Sequence, residues 1–153
     1  MSSHVHTTHI RIVKDKGPIK RAYIDNLEAP VRYGLNTNIK KFYKNDCEEE
    51  LPATLDHLVA AVGGCLVGTF GGSLDVRGIT SADNLTADVE GDMEDIDGVL
   101  VITRIRVRYH VKVPKEKREA AERALAKHES KCATATSVKR GIAIECQADI
   151  EEI

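Results

Sequence analysis

Two of the four cysteines, Cys47, Cys65, Cys132 and Cys146, stand where a thiol can do chemistry. Cys65 sits inside "LVAAVGGCLVGTFGGSL", an uncharged run from Leu58 to Leu74 with five glycines. Cys132 closes the polar stretch "KHESKC". A pair of thiols that meet in space supports one well-defined cycle. A thiolate is oxidised to a sulfenic acid, and the second thiol condenses with it to a disulfide. Lys131, Lys139 and Arg140 are near Cys132 in sequence, and cations favour the thiolate. The competing reading of Cys65 is a small buried hydrophobe, and the residues alone leave both open. Cys47, in a turn-rich excursion, and Cys146, on an apolar strand face, read as structural.

The elements that must position these thiols follow from periodicity. Pro52 and Thr54 mark a helix start with Asp56 in its first turn, so Leu58–Leu74 reads as a buried core helix. Its length is just short of the ~20 residues a membrane span needs. Each interior glycine costs a helix about 1 kcal/mol relative to alanine. Gly64, Gly68 and Gly72 share one face, which lets another backbone approach, from this chain or a second copy.

Upstream, "HTTHIRIV" and "IKRAYIDN" read as short strands around the turn "KDKGP". Downstream, "NLTADVEGD" and "TRIRVRYHVKV" alternate with period two, and Asp97-Gly98 is a hairpin turn signal. The second of these strands carries Arg104, Arg106, Arg108, His110 and Lys112 on one face. Asp88, Glu90 and Asp92 on the first can pair with them across an antiparallel ladder. Pro114 then opens a helix over "KEKREAAERALAKHES", and "GIAIECQADI" closes the chain as a strand. The fold class is α+β, and residues 1–153 read as a single domain.

A chain with 24 acidic and 22 basic residues has a formal charge of −2. That balance argues against nucleic acid or an anionic membrane as partner. "MSSHVHTTHIRIV" lacks the basic start and apolar core of a signal peptide. The expected setting is the cytoplasm, where thiols stay reduced.

Four segments, "VRYGLNTN", "LDHLVAAVGGC", "ITRIRVRYHVKVP" and "HESKCATATSVKRGIAIE", together resemble the OsmC/Ohr family of thiol-dependent hydroperoxide reductases. The resemblance implies an OsmC-like fold in which a long glycine-rich central helix packs against antiparallel sheets in an intertwined homodimer, with sites at the subunit interface. It implies Cys65 as the peroxidatic and Cys132 as the resolving cysteine, an organic hydroperoxide as substrate and an external dithiol as reductant. No cofactor and no metal are required. The chain departs from the family pattern at three places: Asn38 and Leu55 stand where an arginine and a glutamate help activate the thiol, and Ala133 stands where proline commonly follows the resolving cysteine. Arg32, Arg21 and Asp56 are the candidates to replace them, with Arg32 first among the cations. The alternative on the same fold is a non-catalytic module binding a small apolar ligand, or a redox sensor.

Overall fold

The computed structural model describes residues 1–153. Contacts divide the chain into two compact units, Met1–His57 and Leu58–Ile153.

The first unit is a three-stranded antiparallel sheet of β1 (Ile10–Lys14), β2 (Lys20–Ile24) and β3 (Val31–Tyr33), in that order. Gly17, at φ 63°, makes the β1–β2 turn in the left-handed region that glycine adopts without strain. A short helix, α1 (Thr37–Tyr43), follows within the turn-rich stretch that precedes α2. It forms because Asn36 caps it, accepting from the Ile39 N–H at 3.0 Å, and because Lys44 ends it at φ 52°.

Helix α2 (Thr54–Asp75) begins where Pro52 and Thr54 predict. Asp56 closes its first turn: its Oδ2 accepts from the Ala53 N–H and from Asn36 Nδ2, each at 2.7 Å. This is the reciprocal half of a capping box, a residue in the first turn satisfying the amide before it.

In the second unit, β4 (Thr86–Ile96) and β5 (Val99–Val113) form the expected hairpin. Asp97 and Gly98 turn it at φ 54° and 84°, the pair of positive angles that a type I′ turn demands. The register sets Asp88 against Arg108, Glu90 against Arg106 and Asp92 against Arg104. After a 3-10 turn (Lys115–Lys117), α3 (Arg118–His128) and a second 3-10 turn (Glu129–Lys131), a further short helix, α4 (Ala133–Val138), leads to β6 (Ala143–Glu152).

The expectation of antiparallel sheets holds for the first sheet and is corrected for the second. The second sheet has the order β4-β5-β6, and β6 pairs parallel to β5, with Val107 opposite Cys146 and Tyr109 opposite Ala148. Residues 114–142 make the crossover, long enough to return the chain to the same end of the sheet. The β6 acids extend the ladder of opposite charges. Arg108 holds Asp149 at 2.7 Å, Arg104 reaches Glu145 at 3.4 Å, and Arg106 pairs with Asp92 and Glu90. These exposed pairs are each worth a few tenths of a kcal/mol.

The other face of the β5 strand is the core. Ile105, Val107, Tyr109, Val111 and Val113 are buried there, along with Val62, Leu66, Phe70 and Leu74 of α2 and Ala121 and Ala124 of α3. The Val, Leu, Ile and Phe side chains among them each contribute roughly 1.5–3 kcal/mol of transfer free energy. Contacts to β4 come through glycine. A Cβ at Gly63 would lie 2.6 Å from Val89 Cγ2, and one at Gly91 would lie 2.5 Å from Val59 Cγ2. Within the chain, α2 buries one side only, and Ala60, Ala61, Gly64, Gly68 and Gly72 are exposed. No atom lies within 4 Å of a Cβ built at Gly64, Gly68 or Gly72. By length and composition, α2 is also apolar enough to cross a membrane.

Candidate functional site

Cys65 is half-buried on α2, at the edge of this open face. At 100° per residue, Ala61, Gly68 and Gly72 lie within about 60° of it around the helix. Cys132 is fully buried and supplies the N-cap of α4, its sulfur accepting from the Ala135 N–H at 3.5 Å. A sulfur thus takes the place of the usual oxygen cap.

The structure brings the two cysteines together. Cys65 faces the start of α4, where the Thr134 hydroxyl and amide, the Cys132 thiol and the Ala133 amide favour the charged form of its thiol. These donors hold its pKa down at about 7 against the opposing effect of burial. The physical cause is donation of hydrogen bonds to the charged form by the hydroxyl and amides at the start of α4. A thiol with that pKa is roughly half thiolate at neutral pH, whereas one near 8.5 is only a few per cent ionised.

Thr134 is the residue sequence reading missed. Its hydroxyl is also 3.5 Å from the Cys132 sulfur. The signal available was weak: "CATAT" places a hydroxyl two positions after a cysteine, but β-branched residues there argue for no particular helix.

The residues proposed to replace the family's activating groups have other partners. Arg32, on β3, directs its guanidinium to Glu49 at 2.8 Å. Arg21, on β2, grips Asp15 through Nε at 2.8 Å and Nη2 at 2.9 Å, and donates to the Tyr23 hydroxyl at 2.7 Å. Asp56 caps α2 as described. All three belong to the first unit, whereas Cys65 and Cys132 belong to the second. Lys131, Lys139 and Arg140 are exposed.

Of the other two cysteines, Cys47 donates weakly to the Glu49 carbonyl at 3.6 Å. Cys146 lies on β6 beside Tyr109, and burial pushes its thiol up to about 11. Tyr109 and His128, both buried, form a polar pair inside the core. His128 Nδ1 is 2.6 Å from the Leu125 carbonyl, which can only accept, so Nδ1 carries the proton. Nε2 is then the acceptor for the Tyr109 hydroxyl at 2.8 Å. Burial keeps this histidine neutral by lowering its pKa.

The chain is an α+β protein with a long glycine-rich helix that carries Cys65 and a short helix capped by Cys132. The family model for OsmC-like proteins matches residues 48–147, and the chain belongs to that family. The fold has solved relatives. An OsmC-like protein from Mycoplasma pneumoniae is 13% identical with a TM-score of 0.73, covering 95% of this chain and 98% of that one. A Legionella pneumophila structure described as an organic hydroperoxide resistance protein OsmC, predicted redox protein, is 11% identical with a TM-score of 0.64, covering 96% and 99%. The organic hydroperoxide resistance protein OhrB of Bacillus subtilis is 12% identical with a TM-score of 0.57, covering 92% and 98%. No curated protein matches the chain in sequence.

Proposed function

We propose that the protein is a thiol-dependent peroxidase that reduces organic hydroperoxides. What supports this reading is the setting of Cys65, whose thiol the start of α4, capped by Cys132, holds at about 7. In the proposed cycle the Cys65 thiolate attacks one oxygen of the hydroperoxide. The O–O bond breaks, the other oxygen leaves with its organic group and is protonated to an alcohol, and Cys65 becomes a sulfenic acid. Cys132 attacks that sulfur, releasing water and forming a disulfide. An external dithiol reduces the disulfide and is itself oxidised. The cycle uses no metal and no organic cofactor.

The protein works in this reading as a cytoplasmic homodimer. The strip Ala61, Gly64, Gly68 and Gly72 is open in the single chain, and a second copy laid along it would wall in the space beside Cys65. An apolar wall there favours an organic hydroperoxide over hydrogen peroxide. Thiolate activation in this scheme runs through the α4 start, in place of the family's arginine and glutamate.

The test is consumption of cumene hydroperoxide and of hydrogen peroxide with dihydrolipoamide as reductant. Wild type consumes the organic peroxide faster, Cys65→Ser consumes neither, and Cys132→Ser makes a single turnover and stalls. Equal rates for wild type and Cys65→Ser would refute the peroxidase and leave the binding module.

A further inference from the structure

Helix α3 has little apolar surface with which to hold its place. Its buried residues are Ala121, Ala124 and His128, and each alanine brings only a methyl to the contact. His128 is the one large side chain among them, and it is 2% exposed. Its ring centroid lies 5.2 Å from that of Phe70 on α2 and 5.3 Å from that of Tyr109 on β5. The Tyr109 hydroxyl donates to Nε2 at 2.8 Å, and Nδ1 donates to the Leu125 carbonyl at 2.6 Å. Both ring nitrogens are occupied, and Tyr109 is as deeply buried as the histidine, so water is not at hand to replace either partner. His128 is a peg at the last residue of α3, in a socket built by α2 and β5.

Cys132 stands four residues further on. A single 3-10 turn, Glu129–Lys131, connects the two. The Cys132 N–H donates to the Glu129 carbonyl at 3.0 Å, its carbonyl accepts from the Thr136 N–H at 2.9 Å, and its sulfur accepts from the Ala135 N–H at 3.5 Å. These partners all lie within four residues of it. They fix the thiol relative to the turn and α4. The placement of that segment in the molecule is left to its buried side chains and to the peg at its start.

We propose that His128 is a positioning residue for Cys132: its bond to Tyr109 pins the end of α3 to β5, and the single turn that follows sets the resolving thiol where disulfide closure with Cys65 can occur. The inference rests on the reading of Cys65 and Cys132 as the reacting pair. The tolerance is small. Bridged cysteines have Cα atoms roughly 4.4–6.8 Å apart, a window about as wide as the ~1.5 Å rise of one or two helical residues. An α3 end that slips by that much carries Cys132 out of the window. Two alanine methyls do little to resist the slip. The Tyr109–His128 bond resists it, because breaking it strands a donor and an acceptor in the core.

Tyr109→Phe keeps the ring and deletes the donor. His128→Leu deletes the acceptor, and His128→Gln offers an amide oxygen near the place of Nε2. Tyr109→Phe decides alone if His128→Leu does not fold, judged by circular dichroism. The first readout is native-state alkylation of Cys132 in the reduced protein, followed by mass spectrometry of its peptide. Amide hydrogen exchange of β5 is measured beside it as the gauge of global opening. Cys132 is fully buried and reacts only when its segment opens. In Tyr109→Phe and His128→Leu its alkylation rises at least about ten-fold more than β5 exchange, and in His128→Gln it stays near wild type. The second readout is the equilibrium of the Cys65–Cys132 disulfide with glutathione, which gives the effective concentration of the two thiols. It falls at least about ten-fold in Tyr109→Phe and is restored in His128→Gln relative to His128→Leu. Cys132 alkylation that rises only in step with β5 exchange overturns the anchor, as does a His128→Gln protein as loose as His128→Leu. A wild type that forms no Cys65–Cys132 disulfide overturns the reacting pair and the positioning role with it. A wild type that forms the disulfide with the same equilibrium as Tyr109→Phe overturns the positioning role alone.

Discussion

Replacing Gly63 by alanine tests the packing of α2 on β4 directly. A methyl at Gly63 would meet Val89 Cγ2 at 2.6 Å, Cγ1 at 3.0 Å and Cβ at 3.3 Å. Valine cannot swing aside as a long side chain can, because both methyls sit on Cβ. Helix or strand must therefore move, and such overpacking costs roughly 1–3 kcal/mol. Alanine also gains about 1 kcal/mol of helix propensity over glycine. The net effect at Gly63 alone is thus a loss of about 0–2 kcal/mol, too small a number to interpret by itself. Gly64→Ala and Gly72→Ala, melted at protein concentrations where the chain is monomeric, supply the control. Both sites are open within the chain, so each takes the propensity gain without the clash. Subtracting one from the other removes propensity and leaves the clash: Gly63→Ala should be about 1–3 kcal/mol less stable than Gly64→Ala in urea melts. Adding Val89→Ala to Gly63→Ala should recover stability beyond additivity, since the two sites touch. If Gly63→Ala matches Gly64→Ala within about 0.5 kcal/mol, the close approach described here is wrong.

Cys65 makes stability depend on pH with a definite sign. Its folded pKa, about 7, lies below that of an unfolded thiol. The stabilisation is therefore fully present above the unfolded value and is lost as pH falls through about 7. Urea melts of wild type and Cys65→Ser should diverge between pH 7 and 9, with wild type gaining; parallel curves would show an ordinary thiol. Tyr109→Phe leaves the buried Nε2 of His128 without its donor and should cost about 1–3 kcal/mol in the same assay. Sedimentation should give a dimer for wild type and a shift toward monomer for Gly68→Leu, whose side chain projects from the open strip; a wild-type monomer would remove the second copy from the proposed site.

Much of this arrangement is legible in the residues. Alternation in β4 and β5 gave the buried face, and the acids at 88, 90 and 92 gave the correct cross-strand partners because charge and register reinforce each other. The start of α2 was marked by Pro52, Thr54 and Asp56, each acting within one turn. Other features depend on contacts that no local pattern encodes. The direction of β6 is one: its alternation names a buried face and is silent on whether the chain arrives parallel or antiparallel. Helix α4 is another, six residues rich in alanine and threonine, held by a sulfur cap. The glycines divide the same way. Their spacing showed one bare face at Gly64, Gly68 and Gly72, but the contacts within the chain run through Gly63 and Gly91, which only the structure pairs. Arg32 and Arg21 were named for their charge, and their partners proved to be Glu49 and Asp15.

The parallel pairing of β5 with β6 also sets an order of events. Helix α4 hangs on the connection between these strands, so its position is fixed only when the last strand of the chain docks. Contacts so distant in sequence close late, after local hairpins and helices have formed. While a chain is still emerging from the ribosome, Cys65 therefore lacks the amides and hydroxyl that ionise it, and behaves as a sluggish, ordinary thiol. Reactivity arrives with completion of the fold. If Cys65 and Cys132 react as proposed, a half-made chain is thereby spared their premature cross-linking.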